Sequence, residues 1–215
     1  MKIDYKWTVA KEGYIPIFVS IFITWLLTAF FGVSFLSIIL FLILLLIIYF
    51  FRDPDRIMPH DEGLLCPADG KIITVDISKE QEFFNKDMKR VCIFLSLFDC
   101  HINRAPDDLE IMETRYYPGE FFFANSDRVI ENERLYIRFK TKKNEDIVMI
   151  LYAGYVARRI VPYVKTGDKL KKGDRIGIIK FGSRVDIYVP TNFHTEFRTG
   201  DNVVAVETVL FKNEK

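Results

Sequence analysis

The stretch "IIKFGSRVDIYVP", Ile178 to Pro190, reads as β-strand interrupted once. Val185, Ile187 and Val189 recur with the period of two that sends side chains to alternate faces of a sheet. Phe181-Gly182-Ser183 breaks that pattern, and a lone glycine within a strand is a bulge signal. The surrounding chain is of the same kind. "GKIITVDI" (70–77), "VCIFLSLF" (91–98), "LYIRFKT" (135–141), "DIVMILYAGYVA" (146–157) and "RIGIIKF" (175–181) are rich in β-branched and aromatic residues. Turn signals such as "PADG", "PDD", "KKNED" and "TGDKLKKGD" lie between them. Helical periodicity is confined to a short possibility around "SKEQEFFNKD" (78–87). The expectation is a mainly β, compact antiparallel domain over 52–215, sandwich or barrel-like.

The first 51 residues are different in kind. From Gly13 to Phe51 there is no Asp, Glu, Lys or Arg. This run is too long for the apolar core of a cleavable signal, and no small-residue cleavage site follows it. It exceeds the roughly 20 residues of one spanning helix and falls just short of two. "FFGVSF" (30–35) offers a break, which divides the run into helices over about 15–30 and 35–51. Lys2, Lys6 and Lys11 precede the run and Arg52 and Arg56 follow it. Positive charge at both ends predicts a membrane hairpin whose ends lie on the cytoplasmic face. Trp7, Tyr14 and Tyr49 are candidates for the lipid–water interface.

Charge excludes one class of partner. Residues 1–51 hold three Lys and two acids, so 30 − 3 = 27 basic and 29 − 2 = 27 acidic residues remain for 52–215. A nucleic-acid binder carries a basic excess, and there is none. Cys66, Cys92 and Cys100 form no C-x-x-C pair and suit reduced, buried thiols. No spacing of His, Cys and carboxylates fits a metal site, so no metal is expected.

"YVKTGDKLKKGDRIGII" (163–179) and "EFRTGDNVVAVETVLF" (196–211) each set Gly-Asp at a turn before a short hydrophobic strand. The theme is similar to the barrel-sandwich hybrid fold of biotinyl and lipoyl carriers. A non-catalytic, membrane-anchored carrier or adaptor is therefore one reading. A carrier needs a lysine in a tight turn, whereas this chain offers Gly182-Ser183 with Lys180 on the strand before it. Among residues able to carry chemistry, His60 and His194 sit in polar turns. His101, in "SLFDCHINRAP", stands where an apolar strand opens into a polar loop, with Asp99 and Arg104 nearby. Asp69 in "CPADGK" has turn-capping as its ordinary role. Asn125 and Ser126 in "FFFANSDR" are weak signals alone.

Taken together, "FFRDPDRIMP", "CPADGKI", "LFDCHINRAP", "YYPGEFFFANSDR", "ENERLYI", "GYVARRI" and "GDRIGIIKFGSRVDIYVP" resemble, in order, the short, membrane-tethered phosphatidylserine decarboxylase proenzymes. The resemblance implies self-cleavage at Gly182–Ser183 into chains 1–182 and 183–215, which stay together as a heterodimer. It implies that Ser183 becomes a covalent pyruvoyl group, the electron sink for decarboxylation, with no soluble cofactor. It assigns proton transfer to an Asp–His–Ser arrangement, here Asp69, His101 and Ser183. Longer family members have a second His where this chain has Arg104, so either His101 or Asp69 is the base for cleavage. The implied substrate is an aminophospholipid at the membrane surface, ester- or ether-linked (phosphatidylserine or archaetidylserine). The aromatic run Tyr116–Ser126 is either an interfacial loop or core.

Overall fold

The computed structural model describes residues 7–120, 122–124, 126–154, 159–180 and 182–213. They form two compact units, Met1–Asp55 and Arg56–Lys215.

In the first unit two helices, Tyr14–Phe31 and Phe35–Phe50, run either side of the expected break. Ser34 caps the second helix: its hydroxyl accepts from the Ser37 amide at 3.3 Å, and the Ser37 hydroxyl accepts from the Ser34 amide at 2.8 Å. The hydroxyls of Thr24 and Thr28 donate to the carbonyls of Ser20 and Thr24, so these polar side chains are satisfied within the helix. No residue of Tyr14–Phe31 is buried, and Ile15, Phe18 and Trp25 are each more than 60% exposed. Trp7–Val9 pairs antiparallel with Arg52–Pro54 and closes the hairpin, so its two ends emerge side by side.

The second unit is built on an eight-stranded antiparallel sheet. Its strands run in the spatial order Lys169–Leu170, Leu109–Tyr117, Arg134–Thr141, Asp146–Ala153, Ser183–Val189, Lys86–Leu95, Gly70–Glu80 and Asn202–Val203. Two-residue strands stand at both edges, and the sheet does not close into a barrel. Two three-stranded sheets accompany it. One has Ile160–Pro162, Arg175–Ile179 and Ile102–Arg104; the other has Phe193–His194, Val209–Asn213 and Leu64–Leu65. The main core includes Val185, Ile187 and Leu151 from the large sheet, Ile176 and Ile179 from one small sheet, and Phe211 from the other. The opposite face of the large sheet carries a smaller cluster with Met88, Val148, Ile150 and Tyr188, covered by Phe83 and Phe84.

The expected short helix at 78–87 is instead the tip of a hairpin. Strand Gly70–Glu80 turns and returns as Lys86–Leu95. The buried Glu80 carboxylate accepts from the amides of Glu82, Phe83 and Phe84 at 2.9–3.0 Å, which fixes a turn where the charged run reads as helix. The strand Leu109–Tyr117 is not anticipated by the pattern; Glu110, Glu113 and Arg115 dilute its alternation. Strands expected to reach residues 98, 157 and 181 end at Leu95, Ala153 and Ile179, and Tyr155–Arg158 and Phe181 lie outside the described residues.

The Gly-Asp theme is a real structural repeat. At 165–168, 171–174 and 198–201 the Asp carboxylate accepts from the amide three residues earlier, at 2.7–2.9 Å. The Asp amide in each case donates back to that residue's carbonyl. Each glycine has positive φ, between 86° and 104°, as so tight a turn demands.

All three cysteines are buried and none forms a disulfide. Burial pushes the Cys66 and Cys92 thiols up to about 12. At pH 8 roughly one thiol in ten thousand is then ionised at these positions, and the thiolate is the reactive form. Iodoacetamide at pH 8 is expected to leave Cys66 and Cys92 unmodified in the folded protein and to label both in denaturant, as read by peptide mass.

Candidate active site

The interruption at Gly182 is where the chain changes sheets. Ile179 ends its strand in a three-stranded sheet, paired with Ile160, and the Lys180 amide donates to the Arg159 carbonyl at 3.2 Å. Ser183 opens the central strand of the large sheet. Gly182 turns the corner at φ +65°, and a Cβ placed on it would meet nothing within 4 Å. Its demand for glycine is therefore conformational and not steric.

Ser183 pairs with Leu95 on one side and Ala153 on the other. The neighbouring register, Lys71 with Phe94, puts Gly70 in the same lateral row. Gly70, Leu95, Ser183 and Ala153 thus stand abreast at one end of the sheet, about 5 Å apart strand to strand. Asp69 precedes the first of these and the Ser96–His101 turn follows the second. One end of one sheet gathers Asp69, the His101 turn and Gly182-Ser183.

Ser183 shares a face with Val185 and Ile187, is 0% exposed, and its hydroxyl has no hydrogen-bond partner among the described residues. A buried hydroxyl without a partner is costly, so it asks for an explanation. On the opposite face Arg184 forks onto Asp186 at 2.6 and 2.7 Å and reaches the Cys92 sulfur at 3.1 Å. That pair ties the residue after Ser183 to the neighbouring strand.

His101 is 0% exposed. Its carbonyl accepts from the Ile179 amide at 3.3 Å, which anchors it beside the strand leading to Gly182. Ring Nδ1 lies 2.9 Å from the Asp99 carbonyl oxygen. A carbonyl can only accept, so Nδ1 carries a proton, and the neutral form of the ring has its lone pair on Nε2. The Asp99 carboxylate accepts from the Ser96 amide at 2.7 Å and holds the turn that presents this carbonyl.

Asp69 is held at both oxygens. Oδ1 accepts from the Ala205 amide at 2.8 Å and Oδ2 from Arg56 at 2.7 Å. Arg56, which the sequence offered as flanking charge and as part of a motif, also interacts electrostatically with Cys100, next to His101. Burial is the largest influence on Arg56 and lowers its pKa, but Asp69 and then Cys100 together hold it above the ordinary value. Arg104, in place of a second histidine, is buried and donates to the Gly173 carbonyl at 3.1 Å. Ser126 caps a local turn by donating to the Phe123 carbonyl, and Asn125 lies outside the described residues. In the aromatic run, Phe123 is 63% exposed and Tyr116 belongs to a strand.

The sequence matches those of known proteins. The family model described as phosphatidylserine decarboxylase matches residues 43–211. The chain belongs to the phosphatidylserine decarboxylase family. A phosphatidylserine decarboxylase proenzyme of Nitrosomonas eutropha is 38% identical over 204 residues, covering 94% of both chains. That of Desulfotalea psychrophila is 39% identical over 204 residues, covering 94% of this chain and 95% of the relative. Within this family frame, Gly182-Ser183, His101 and Asp69 are the polar groups gathered at the end of the large sheet, and Arg56 is the residue that sequence reasoning missed.

Proposed function

We propose that this chain is a self-processing, pyruvoyl-dependent decarboxylase that converts phosphatidylserine to phosphatidylethanolamine and CO2 at a membrane surface. The observation that carries the reading is a fully buried Ser183 hydroxyl, without a partner among the described residues, directly after a glycine in the left-handed region, within a chain of this family.

In maturation the Ser183 Oγ adds to the Gly182 carbonyl carbon and the bond to the Ser183 nitrogen breaks, which turns the amide into an ester. Loss of the Ser183 α-proton then expels the Gly182 carboxylate from Cβ and leaves dehydroalanine. Water displaces the nitrogen as ammonia, and a pyruvoyl carbonyl heads the chain 183–215. Ser183 fits this conversion, because its hydroxyl surrenders no described hydrogen bond when the Cβ–Oγ bond breaks. The pyruvoyl group supplies an electron sink for the pair released as CO2 departs. His101 takes the Ser183 hydroxyl proton at Nε2 and, in turnover, returns a proton to the carbon that lost CO2. Asp69 is held in place by Arg56 and the Ala205 amide.

The two products stay together as a heterodimer. The 183–215 piece provides the central strand, registered along its length with Lys86–Leu95, and three further strands that pair with Gly70–Glu80, with Leu64–Leu65 and with each other. Val185, Ile187, Val189, Phe193 and Phe211 from that piece are all in the main core.

The apolar hairpin anchors the enzyme where its lipid substrate resides. An 18-residue helix is about 27 Å long, close to the hydrocarbon thickness of about 30 Å. Exposed apolar helix faces of this extent suit lipid and not water. The flanking lysines and arginines favour the cytoplasmic face of the cell membrane.

Purified protein is expected to run as two pieces, the smaller carrying residues 183–215 with a blocked N-terminus, and to release CO2 from phosphatidylserine vesicles. A single uncut chain with full activity overturns the reading.

A further inference from the structure

Gly154 lies just beyond the strand Asp146–Ala153, one residue past the partner of Ser183. A Cβ built on it would stand 2.3 Å from the Gly182 carbonyl oxygen and 3.0 Å from the Gly182 carbonyl carbon. Real Cβ atoms do not approach so closely, so alanine at 154 must push that carbonyl aside. The corner has no slack behind it: the same Cβ would be 3.2 Å from the Ala124 methyl.

Both walls of the corner are held by Asn132, which is 0% exposed. Its Nδ2 donates to the Ala153 carbonyl at 2.7 Å and to the Phe122 carbonyl at 2.8 Å, while its Oδ1 accepts from the Phe122 amide at 2.7 Å. A buried amide with these bonds is a rigid clamp on the residues flanking Gly154 and Ala124.

We propose that Gly154, clamped by Asn132, is a positioning residue for self-cleavage: its bare α-carbon is the backstop that holds the Gly182 carbonyl for attack by Ser183. The inference rests on the maturation reading above. It assigns to Gly154 a role in the first step, amide to ester, and not in the elimination that follows. The attack tolerates little error, since misplacing a reacting group by 1 Å costs about a hundredfold.

The test is Gly154→Ala in the full-length chain, synthesised cell-free and followed by gel and intact mass with and without hydroxylamine. Hydroxylamine cuts an ester and leaves a hydroxamate on Gly182. The wild type is expected to yield the hydroxamate. Gly154→Ala is expected to process about a hundredfold more slowly and to yield the hydroxamate about a hundredfold more slowly, because ester formation is the slowed step. Hydroxamate formation at the wild-type rate in Gly154→Ala would overturn the proposal, as would normal processing. Slow processing with normal hydroxamate formation would also overturn it, since the defect then lies after the ester. Near-ultraviolet circular dichroism of Ser183→Ala/Gly154→Ala, which cannot cut, reports whether the substituted chain folds. If it does not, Ala124→Val crowds the same corner from the opposite wall, and the same three outcomes apply. Failure of the wild type to cut at Gly182–Ser183 would instead defeat the maturation reading itself, so the two failures are distinct.

Discussion

Ser183→Ala is expected to leave one uncut chain of 25.3 kDa, with no decarboxylation of phosphatidylserine and no loss of stability. The first two effects follow from chemistry. In the proposed maturation the Ser183 oxygen is both the nucleophile that receives the Gly182 acyl group and the leaving group that carries it away from Cβ. Alanine offers neither, so the effect is complete loss and not slowing. The third effect follows from burial. The hydroxyl is enclosed and has no hydrogen-bond partner among the described residues, so removing it discards an uncompensated desolvation cost of about 1–3 kcal/mol. The melting temperature of Ser183→Ala is expected to equal or exceed that of an uncut chain with serine retained. Gel, intact mass and a melting curve check all three. A variant that is uncut yet turns over phosphatidylserine would remove Ser183 from the mechanism.

The same residue shows how far the primary structure carries. The Gly182-Ser183 interruption stands out by pattern, and an ordered set of motifs gives it a meaning that a bulge lacks. The two apolar helices are legible within a residue or two, because composition alone dictates them. The longer strands are legible where β-branched residues alternate. The strand Leu109–Tyr117 is not, because charged residues interrupt its alternation. The small sheets are not either: Leu64–Leu65 pairs with a strand some 145 residues later, and nothing local announces a two-residue strand. Asp69 and His101 stand out by residue type. Arg56, which bonds the Asp69 carboxylate, does not, because a guanidinium thirteen residues away reads as surface charge. Gly154 is the hardest. Its requirement comes from a carbonyl 28 residues on in sequence (182 − 154), brought against it only when Ser183 pairs with Ala153.

His101→Ala is expected to slow cleavage by about 10²–10⁴-fold, the usual loss on removing a general base. Shape and chemistry must be separated here, because the ring is wholly buried and its removal leaves a cavity. His101→Gln makes the separation: the amide fills much of the space and can donate to the Asp99 carbonyl, but has no basic nitrogen. The expected result is that Gln cuts as slowly as Ala while melting closer to the wild type. Gel time courses after cell-free synthesis measure the first quantity and thermal unfolding the second. A Gln variant that cuts at the wild-type rate would make His101 a packing residue and shift the proton transfer to Asp69. Histidine is proposed as the base for a specific reason. Asp69 already spends one oxygen on the Ala205 amide and the other on Arg56. His101 has its tautomer set by a main-chain carbonyl, which the Ser96–Asp99 turn holds in place, and its lone pair is thereby assigned to the opposite side of the ring.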